Sequence, residues 1–393
     1  MRKLLLYVHV PFCPTKCHFC SWVKDIPVGQ LRLTEIAPER AAYLDAIRAQ
    51  VRDAAPRLKA QGYVPDLLYF GGGTPSMLSV AEFESLMDIL RAEFDLTRLT
   101  EATIESSPDT LSREKLRAYR AAGMTRLSIG VQSFVDDRLA RHGRSHRAED
   151  ARTAVRLARE CGFDNVNVDL MCGLPDETLD EVERSVLAAI ELPLTHVSLY
   201  PYGPAEGTVM HRQLSRGLLQ VDREERKAAY ALGRKLLEAA GFPEYSMSYF
   251  SQRPCAVDLA YYQLTTDWIG FGPGANSLIG HEALVTHRGL ARYTTHPTAF
   301  TERTPAHTPA VASVLLYQGL ATFDGIDAGL WQERVGVPLA RTLAEPSIAQ
   351  MVRILTRSSG LIVDERGVRL PRERIAENCI DTSLLRTPPE GVR

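Results

Sequence analysis

The sequence predicts an α/β protein: a partial, TIM-like (β/α)6 barrel followed by a small C-terminal α+β domain of winged-helix character. Three observations lead there. From Leu4 to Tyr200, short apolar runs alternate with stretches of helical period, the pattern of a parallel sheet with right-handed crossovers. Six such units are too few for a closed eight-stranded barrel, so a curved sheet with an open side is expected. From about Pro305 the alternation gives way to helices and then a hairpin, which divides the chain into 1–300 and 301–393.

The first strand is the run Leu4-Leu5-Leu6-Tyr7-Val8, short, apolar and stopped by Pro11. Cys13, Cys17 and Cys20 follow on the loop at its end, the edge that carries chemistry in parallel α/β folds. A linker without clear period covers 21–38. A helix over 39–58 puts Ala42, Leu44, Ile47 and Val51 on one face. The second strand, 66–70, ends in Gly71-Gly72-Gly73-Thr74-Pro75, and a helix over 79–94 opens with a capping box, Ser79 three residues before Glu82. Strands at 102–106, 126–130, 165–170 and 196–200 alternate with helices at 112–122, 147–161 and 179–191. A long helix is expected over 222–240, with strands or loops at 243–250 and 267–274 across the open side. Helices at 310–320 and 330–335 precede a hairpin over 361–370, which alternates around a glycine-containing turn. That region has many acidic residues and no basic stripe, so it is expected to cover a substrate and not to bind DNA.

With 393 residues, 45% hydrophobic and 24% charged, the chain has the composition of a globular protein with a large core. A formal net charge of -2 argues against a general nucleic-acid or membrane-surface binder, and no apolar run approaches a membrane span. Seven cysteines without a secretion signal predict a reducing, cytoplasmic setting rather than disulfides.

Three clustered thiolates are one short of the four that usually hold an iron–sulfur cube, so one iron would stay open to another ligand. The alternative is zinc, with His9 or His18 as fourth ligand; Cys161, Cys172, Cys255 and Cys379 are isolated and supply no second knuckle. Glycines 71–73 after a strand let backbone approach a ligand closely. Glu105, near the end of its strand, can hold a hydroxyl or an ammonium. Gly270-Phe-Gly272-Pro-Gly274-Ala275-Asn276 is no dinucleotide fingerprint, because its third glycine comes too early and it lies far from the first βαβ unit.

The spacing Cys-x3-Cys-x2-Cys resembles that of the radical S-adenosylmethionine (SAM) superfamily. The ordered set Tyr7-x-His9-x-Pro11-Phe12-Cys13, Phe70-Gly-Gly-Gly-Thr-Pro75, Glu105-x-x-Pro108, Gly130-x-Gln132-Ser133-Phe134 and Asp169-Leu170-x-x-Gly173-Leu174-Pro175 resembles the oxygen-independent coproporphyrinogen III oxidase family. That family includes haem-chaperone-like proteins and class C radical SAM methyltransferases. The resemblance covers roughly residues 1–300 and implies a barrel of the radical SAM type with a [4Fe-4S] cluster on Cys13, Cys17 and Cys20. It also implies two molecules of SAM. Tyr7, Gly72, Glu105 and Asn276 fall at positions contacting the first; Phe19, Gly73, Thr74, Gln132, Arg144, Asp169 and Gly203 at positions contacting the second. Arg144 is suited to gripping a carboxylate with its planar fork. The catalytic base is not identified.

Departures from the relatives choose among reactions. Trp22 stands where the oxidases have a fourth cysteine, and their N-terminal extension has no counterpart. Haem-chaperone-like proteins have Asp-Phe after the third cysteine and His-Asn upstream of a Tyr-Trp pair; here Ser21-Trp22 follows Cys20, and Val257-Asp258 precedes Tyr261-Tyr262. By subtraction the expectation is a class C methyltransferase. It would methylate an sp2 carbon of a heteroaromatic, small-molecule or peptide-derived natural product, and release 5′-deoxyadenosine and S-adenosylhomocysteine. Flavodoxin or ferredoxin would supply its electron. A haem-binding or haem-transfer protein and a coproporphyrinogen oxidase are the alternatives.

Overall fold

The computed structural model describes residues 1–21 and 37–372; most of the expected linker, Trp22 and Cys379 lie outside them. The barrel half runs β1 (Arg2–Val10), α1 (Ala37–Ala60), β2 (Tyr63–Gly72), α2 (Val80–Glu93), β3 (Glu101–Ser106), α3 (Arg113–Ala121), β4 (Arg126–Gln132), α4 (Asp136–Arg141), α5 (Ala148–Glu160), β5 (Asn165–Cys172), α6 (Leu179–Ile190) and β6 (His196–Pro201). Next come α7 (Val209–Ser215), α8 (Arg223–Ala239), the hairpin β7 (Glu244–Ser246) and β8 (Tyr249–Ser251), and α9 (Ala256–Tyr262). After these follow β9 (Asp267–Phe271), β10 (Asn276–Ile279), β11 (Glu282–Thr286), α10 (Leu290–Thr295) and β12 (Phe300–Pro305). The C-terminal part holds α11 (Pro309–Gly319), β13 (Ile326–Asp327), α12 (Ala328–Val335), α13 (Leu339–Leu343), α14 (Pro346–Ser359), β14 (Ile362–Asp364) and β15 (Gly367–Arg369).

The six expected parallel strands pair in chain order, β1 to β6, but they are the middle of a larger sheet. Among the described residues that sheet has 12 strands, in the order β12-β11-β10-β9-β1-β2-β3-β4-β5-β6-β8-β7. The stretch at 267–274 does not cross the open side: β9 pairs parallel with β1 and extends the sheet at that edge, with an antiparallel meander beyond it. The stretch at 243–250 forms a hairpin that pairs antiparallel with β6 at the other edge. Between the two edges lies the short helix α9, whose Tyr262 hydroxyl meets that of Tyr249 on β8 at 3.0 Å. Tyr261 on the same helix packs on Trp268 of β9 with ring centroids 4.8 Å apart. β13, β15 and β14 form a separate three-stranded sheet beside the C-terminal helices. β12 crosses residue 300 while remaining in the large sheet.

The predicted capping box at α2 forms as read: Ser79 accepts from the Glu82 N–H and the Glu82 side chain from the Ser79 N–H. Such a cap is worth about 1 kcal/mol. The core lies between strands and helices. Leu4, Leu6, Val8, Leu68, Phe70, Ile104, Leu127, Ile129, Val166, Val168, Val197 and Leu199 are all but completely buried there. Phe70 meets Phe83 of α2 at 5.6 Å, which fixes this as the helix-facing side of the sheet. No helix among the described residues is long and apolar enough to cross a membrane.

Candidate functional site

Side chains alternate along a strand, so the other set of positions faces the inside of the curved sheet. Strand register assembles Tyr7 on β1, Tyr69 and Gly71 on β2, Glu101, Thr103 and Glu105 on β3, Arg126, Ser128 and Gly130 on β4, Asn165, Asn167 and Asp169 on β5, and His196, Ser198 and Tyr200 on β6. Barrels of this kind ordinarily fill this space with branched apolar residues. Here it is polar and tyrosine-rich. Tyr7, Tyr69, Glu105, Asp169 and Tyr200 also keep some solvent exposure, while the helix-facing side is dry. A polar interior that keeps residual exposure, in a fold that could pack it solid, is a candidate ligand chamber.

The cysteine loop sits at the C-terminal mouth of this chamber. Tyr43 donates to the His9 carbonyl at 2.9 Å, and its ring packs against Phe12 at 5.4 Å, anchoring the end of β1. The glycine turn after β2 is stitched to the loop by Gly73 N–H to Val10 O (2.8 Å) and Thr74 N–H to Phe12 O (2.6 Å). A Cβ at Gly73 would lie 2.7 Å from Phe12 O and 3.1 Å from Cys13 Sγ, so glycine is required by close approach. Gly72, with φ +104, carries the ring of His9 in the space a side chain would need.

Cys13, Cys17 and Cys20 are half-buried. The Thr74 hydroxyl donates to Cys13 Sγ at 3.6 Å and Arg144 Nη1 to Cys17 Sγ at 3.2 Å. Burial pushes the Cys13 thiol up to about 12, against the pull of the Thr74 hydrogen bond. Deprotonation therefore has to be driven by metal binding, and hydrogen bonds aimed at sulfur are what an iron–sulfur cluster uses to tune its potential. The residues fit a three-cysteine cube. They fit zinc poorly: the His9 ring is bonded to Tyr7 Oη at 2.9 Å, and His18 is bonded to Arg141 O at 2.9 Å with its ring against Gly143. Among the described residues no three His, Cys, Asp or Glu side chains gather as a single ion requires. A cube binds each thiolate through a different iron and asks for wider spacing.

Most of the other expected site residues converge on this mouth. Tyr69 donates to Glu105 Oε1 at 2.6 Å, and Tyr7 stands 6.1 Å from the Tyr69 ring. Burial pushes Glu105 up to about 7, against bonds from Tyr69 and the Gly72 N–H. Asp169, also raised by burial, accepts from Asn167 Nδ2 (2.8 Å) and Ser128 Oγ (3.2 Å). Gln132 adopts φ 71 where the β4–β5 register shifts, which turns its side chain toward Gly130. Arg144 bonds Gly130 O at 2.5 Å and Ser107 Oγ at 3.1 Å as well as Cys17. Phe19 packs with Leu174, Tyr202 and Met210, and half-buried Gly203 follows Tyr202 on the same loop. Asn276 is the exception. Its side chain is exposed and accepts from Trp268 Nε1 at 2.9 Å, so its backbone alone, close behind Gly270, lies near the site.

Away from the mouth, the structure assembles a second set that the sequence reading passed over. The start of α9 is held by Glu101, which accepts from Cys255 Sγ (3.0 Å), Ala256 N–H (3.1 Å) and Val257 N–H (3.3 Å). Asp258 faces Tyr245 Oη at 3.3 Å, Tyr245 reaches His196 Nε2 at 2.7 Å, and His196 Nδ1 reaches Asn167 Oδ1 at 2.5 Å. Burial holds His196 well below its ordinary pKa and so neutral, and lifts Asp258 to about 6. Arg126 stands among these groups. The signal was present: Arg126-Leu127-Ser128-Ile129 alternates, where a strand buried on both faces should be continuously apolar.

Comparison with known proteins defines the class first. Residues 7–189 match the family model of the Radical SAM superfamily. The heme chaperone HemW of Bacillus subtilis (strain 168) is 34% identical over 284 residues, 70% of this chain and 70% of that protein. The HemW of Mycobacterium tuberculosis (strain H37Rv) is 37% identical over 279 residues, 70% and 69% of the two chains. The fold matches coproporphyrinogen III oxidase (HemN) from Escherichia coli, with a TM-score of 0.76 at 24% identity, over 97% of this chain and 90% of that one. The chain belongs to the coproporphyrinogen III oxidase-like family of the radical SAM superfamily, in which the family implies a [4Fe-4S] cluster and SAM.

The expectation of a class C methyltransferase is corrected here. The relatives that establish the family are named heme chaperones. The subtraction that favoured methyl transfer rested on single positions, Ser21-Trp22 and Val257-Asp258. Such substitutions change one contact or one ligand without moving the fold, so they do not outweigh similarity across two thirds of the chain.

Proposed function

We propose that the protein binds haem and passes it on, as a radical SAM protein of the haem-chaperone type. The observation that carries this reading is the 34–37% identity to heme chaperones over about 70% of both chains. The tyrosine-lined chamber supports it, since flat aromatic ligands favour such walls. Val257 stands where the haem-chaperone-like pattern has a histidine, so iron ligation does not come from that position and the grip on the porphyrin has to come from other groups.

In this reading Cys13, Cys17 and Cys20 hold the [4Fe-4S] cluster. When bound, the cluster supplies one-electron chemistry toward SAM on its open iron, with flavodoxin or ferredoxin as donor. Tyr7, Gly72, Glu105 and the Asn276 backbone hold the first SAM. Phe19, Gly73, Thr74, Gln132, Arg144, Asp169 and Gly203 form a place for a second. Residues 1–300 serve as the core, and 301–393 as a small covering domain.

The test is an anaerobic absorbance titration of cluster-loaded protein with haem, followed by transfer to an apo-haem protein. Saturation at one haem per chain and subsequent transfer are expected. Absence of saturable binding would refute the reading.

A further inference from the structure

Arg126 is a buried cation whose Nε the fold leaves without a hydrogen bond. It faces the chamber from β4, in register with Thr103 and Asn165, and is 2% exposed. Its Nε has no hydrogen-bond partner, and among the described residues its guanidinium forms neither a hydrogen bond nor an ion pair. Burial works against its charge, but Cys255, Asp258, Glu101 and Tyr69 outweigh it and hold Arg126 well above its ordinary pKa. None of these groups bonds it. Glu101 is taken by the start of α9. Asp258 is engaged by Tyr245, and Tyr69 by Glu105. An unmade hydrogen bond on a buried charged donor is costly, and a ligand is one group that can complete it.

The missing group can be described from its surroundings. A planar fork of donors matches a carboxylate. Tyr69 and Tyr245 lie within electrostatic reach of Arg126, and from Tyr245 a run of rings leads on: Tyr245 is 6.0 Å from Tyr249, and Tyr249 is 5.8 Å from Tyr200 and 5.9 Å from Tyr262. Burial holds Glu105 up to about 7 and Asp169 above its usual range and lifts Asp258 to about 6, which reduces the repulsion these carboxyls exert on an incoming carboxylate. We propose that Arg126 is the receptor for a carboxylate on a flat aromatic ligand in the chamber. If the haem reading holds, that carboxylate is a propionate of haem; this identification rests on that reading, and the receptor itself does not.

The experiment uses the full, cluster-loaded chain under nitrogen. Thermal shifts are measured with 2-naphthoate and with its neutral match 2-naphthamide, on wild type, Arg126→Gln and Arg126→Lys. Haem and haem dimethyl ester are titrated by absorbance. Naphthoate should raise the melting temperature of wild type and naphthamide should not, with the response lost in Arg126→Gln and weakened in Arg126→Lys, which keeps the charge without the fork. Haem should bind wild type at least about tenfold more tightly than its ester, a gap of about 1.4 kcal/mol, and Arg126→Gln should bind the two alike. The proposal is overturned if naphthamide matches naphthoate on wild type, a comparison that needs no variant to fold, or if the variants keep the full response. Haem that fails to bind while the naphthoate response still depends on Arg126 sinks the haem reading and leaves the receptor standing. Haem that keeps its preference over the ester in Arg126→Gln does the reverse.

Discussion

Replacing Glu105 by Gln removes the carboxyl that best reports the environment of the chamber. Burial lifts this group from 4.5 to about 7, the Tyr69 bond notwithstanding. At about 1.36 kcal/mol per pH unit, that displacement amounts to about 3.4 kcal/mol. Glu105 keeps partial solvent exposure, and screening trims the effect to about 2 kcal/mol. The sign follows from linkage. Between the two pKa values the folded protein binds a proton that the unfolded chain has lost, so this contribution is fully present below 4.5 and is lost as pH rises through about 7. Glu105→Gln should therefore gain about 2 kcal/mol relative to wild type between pH 5 and pH 8 in anaerobic urea unfolding. The difference infrared spectrum, wild type minus variant, should show a protonated-carboxyl band titrating near 7. A midpoint near 4.5 together with a pH-independent difference in stability would refute the buried chamber.

Other outcomes follow from the same geometry. Serine at Cys13, Cys17 or Cys20 should abolish iron loading after anaerobic reconstitution while circular dichroism is retained; full iron content in any one variant would contradict the assignment. Gly73→Ala places a methyl 2.7 Å from Phe12 O and 3.1 Å from Cys13 Sγ, so cluster occupancy should fall several-fold, and unchanged occupancy would show that the loop gives way. Tyr245→Phe removes the hydroxyl between His196 and Asp258; it should cost about 1–3 kcal/mol in urea unfolding, and a neutral effect would show that the chain of bonds is dispensable. Ser79→Ala, at the exposed start of α2, should cost about 1 kcal/mol through its lost cap with haem binding unchanged.

The parallel strands were legible because each is a short apolar run between helical periods, and the structure extends them by no more than a few residues, as in β1 (Arg2–Val10) and β5 (Asn165–Cys172). The edges were not. β10 and β11 are antiparallel strands of four and five residues, too short for alternation to distinguish them from loops, and the seven residues of α9 complete less than two full turns. Motif residues at the mouth were legible because they recur in a known order. Arg126 and Glu101 were not, because the face that polar residues of neighbouring strands share is fixed by the register between β3 and β4 and not by the composition of either strand. Function misled for a related reason: Val257-Asp258 looked decisive as a departure, yet those residues sit on a helix whose partners, Glu101 and Tyr245, come from distant strands.

We propose that the inward faces of the strands enclose a chamber that takes haem. A crystal structure of the haem-loaded protein, prepared without oxygen, tests it most directly. The porphyrin is expected inside the curved sheet, on the mouth side of α9, bounded by Tyr69, Tyr200 and Tyr249. A porphyrin lying on the outer surface, with ordered water alone in the chamber, would contradict it.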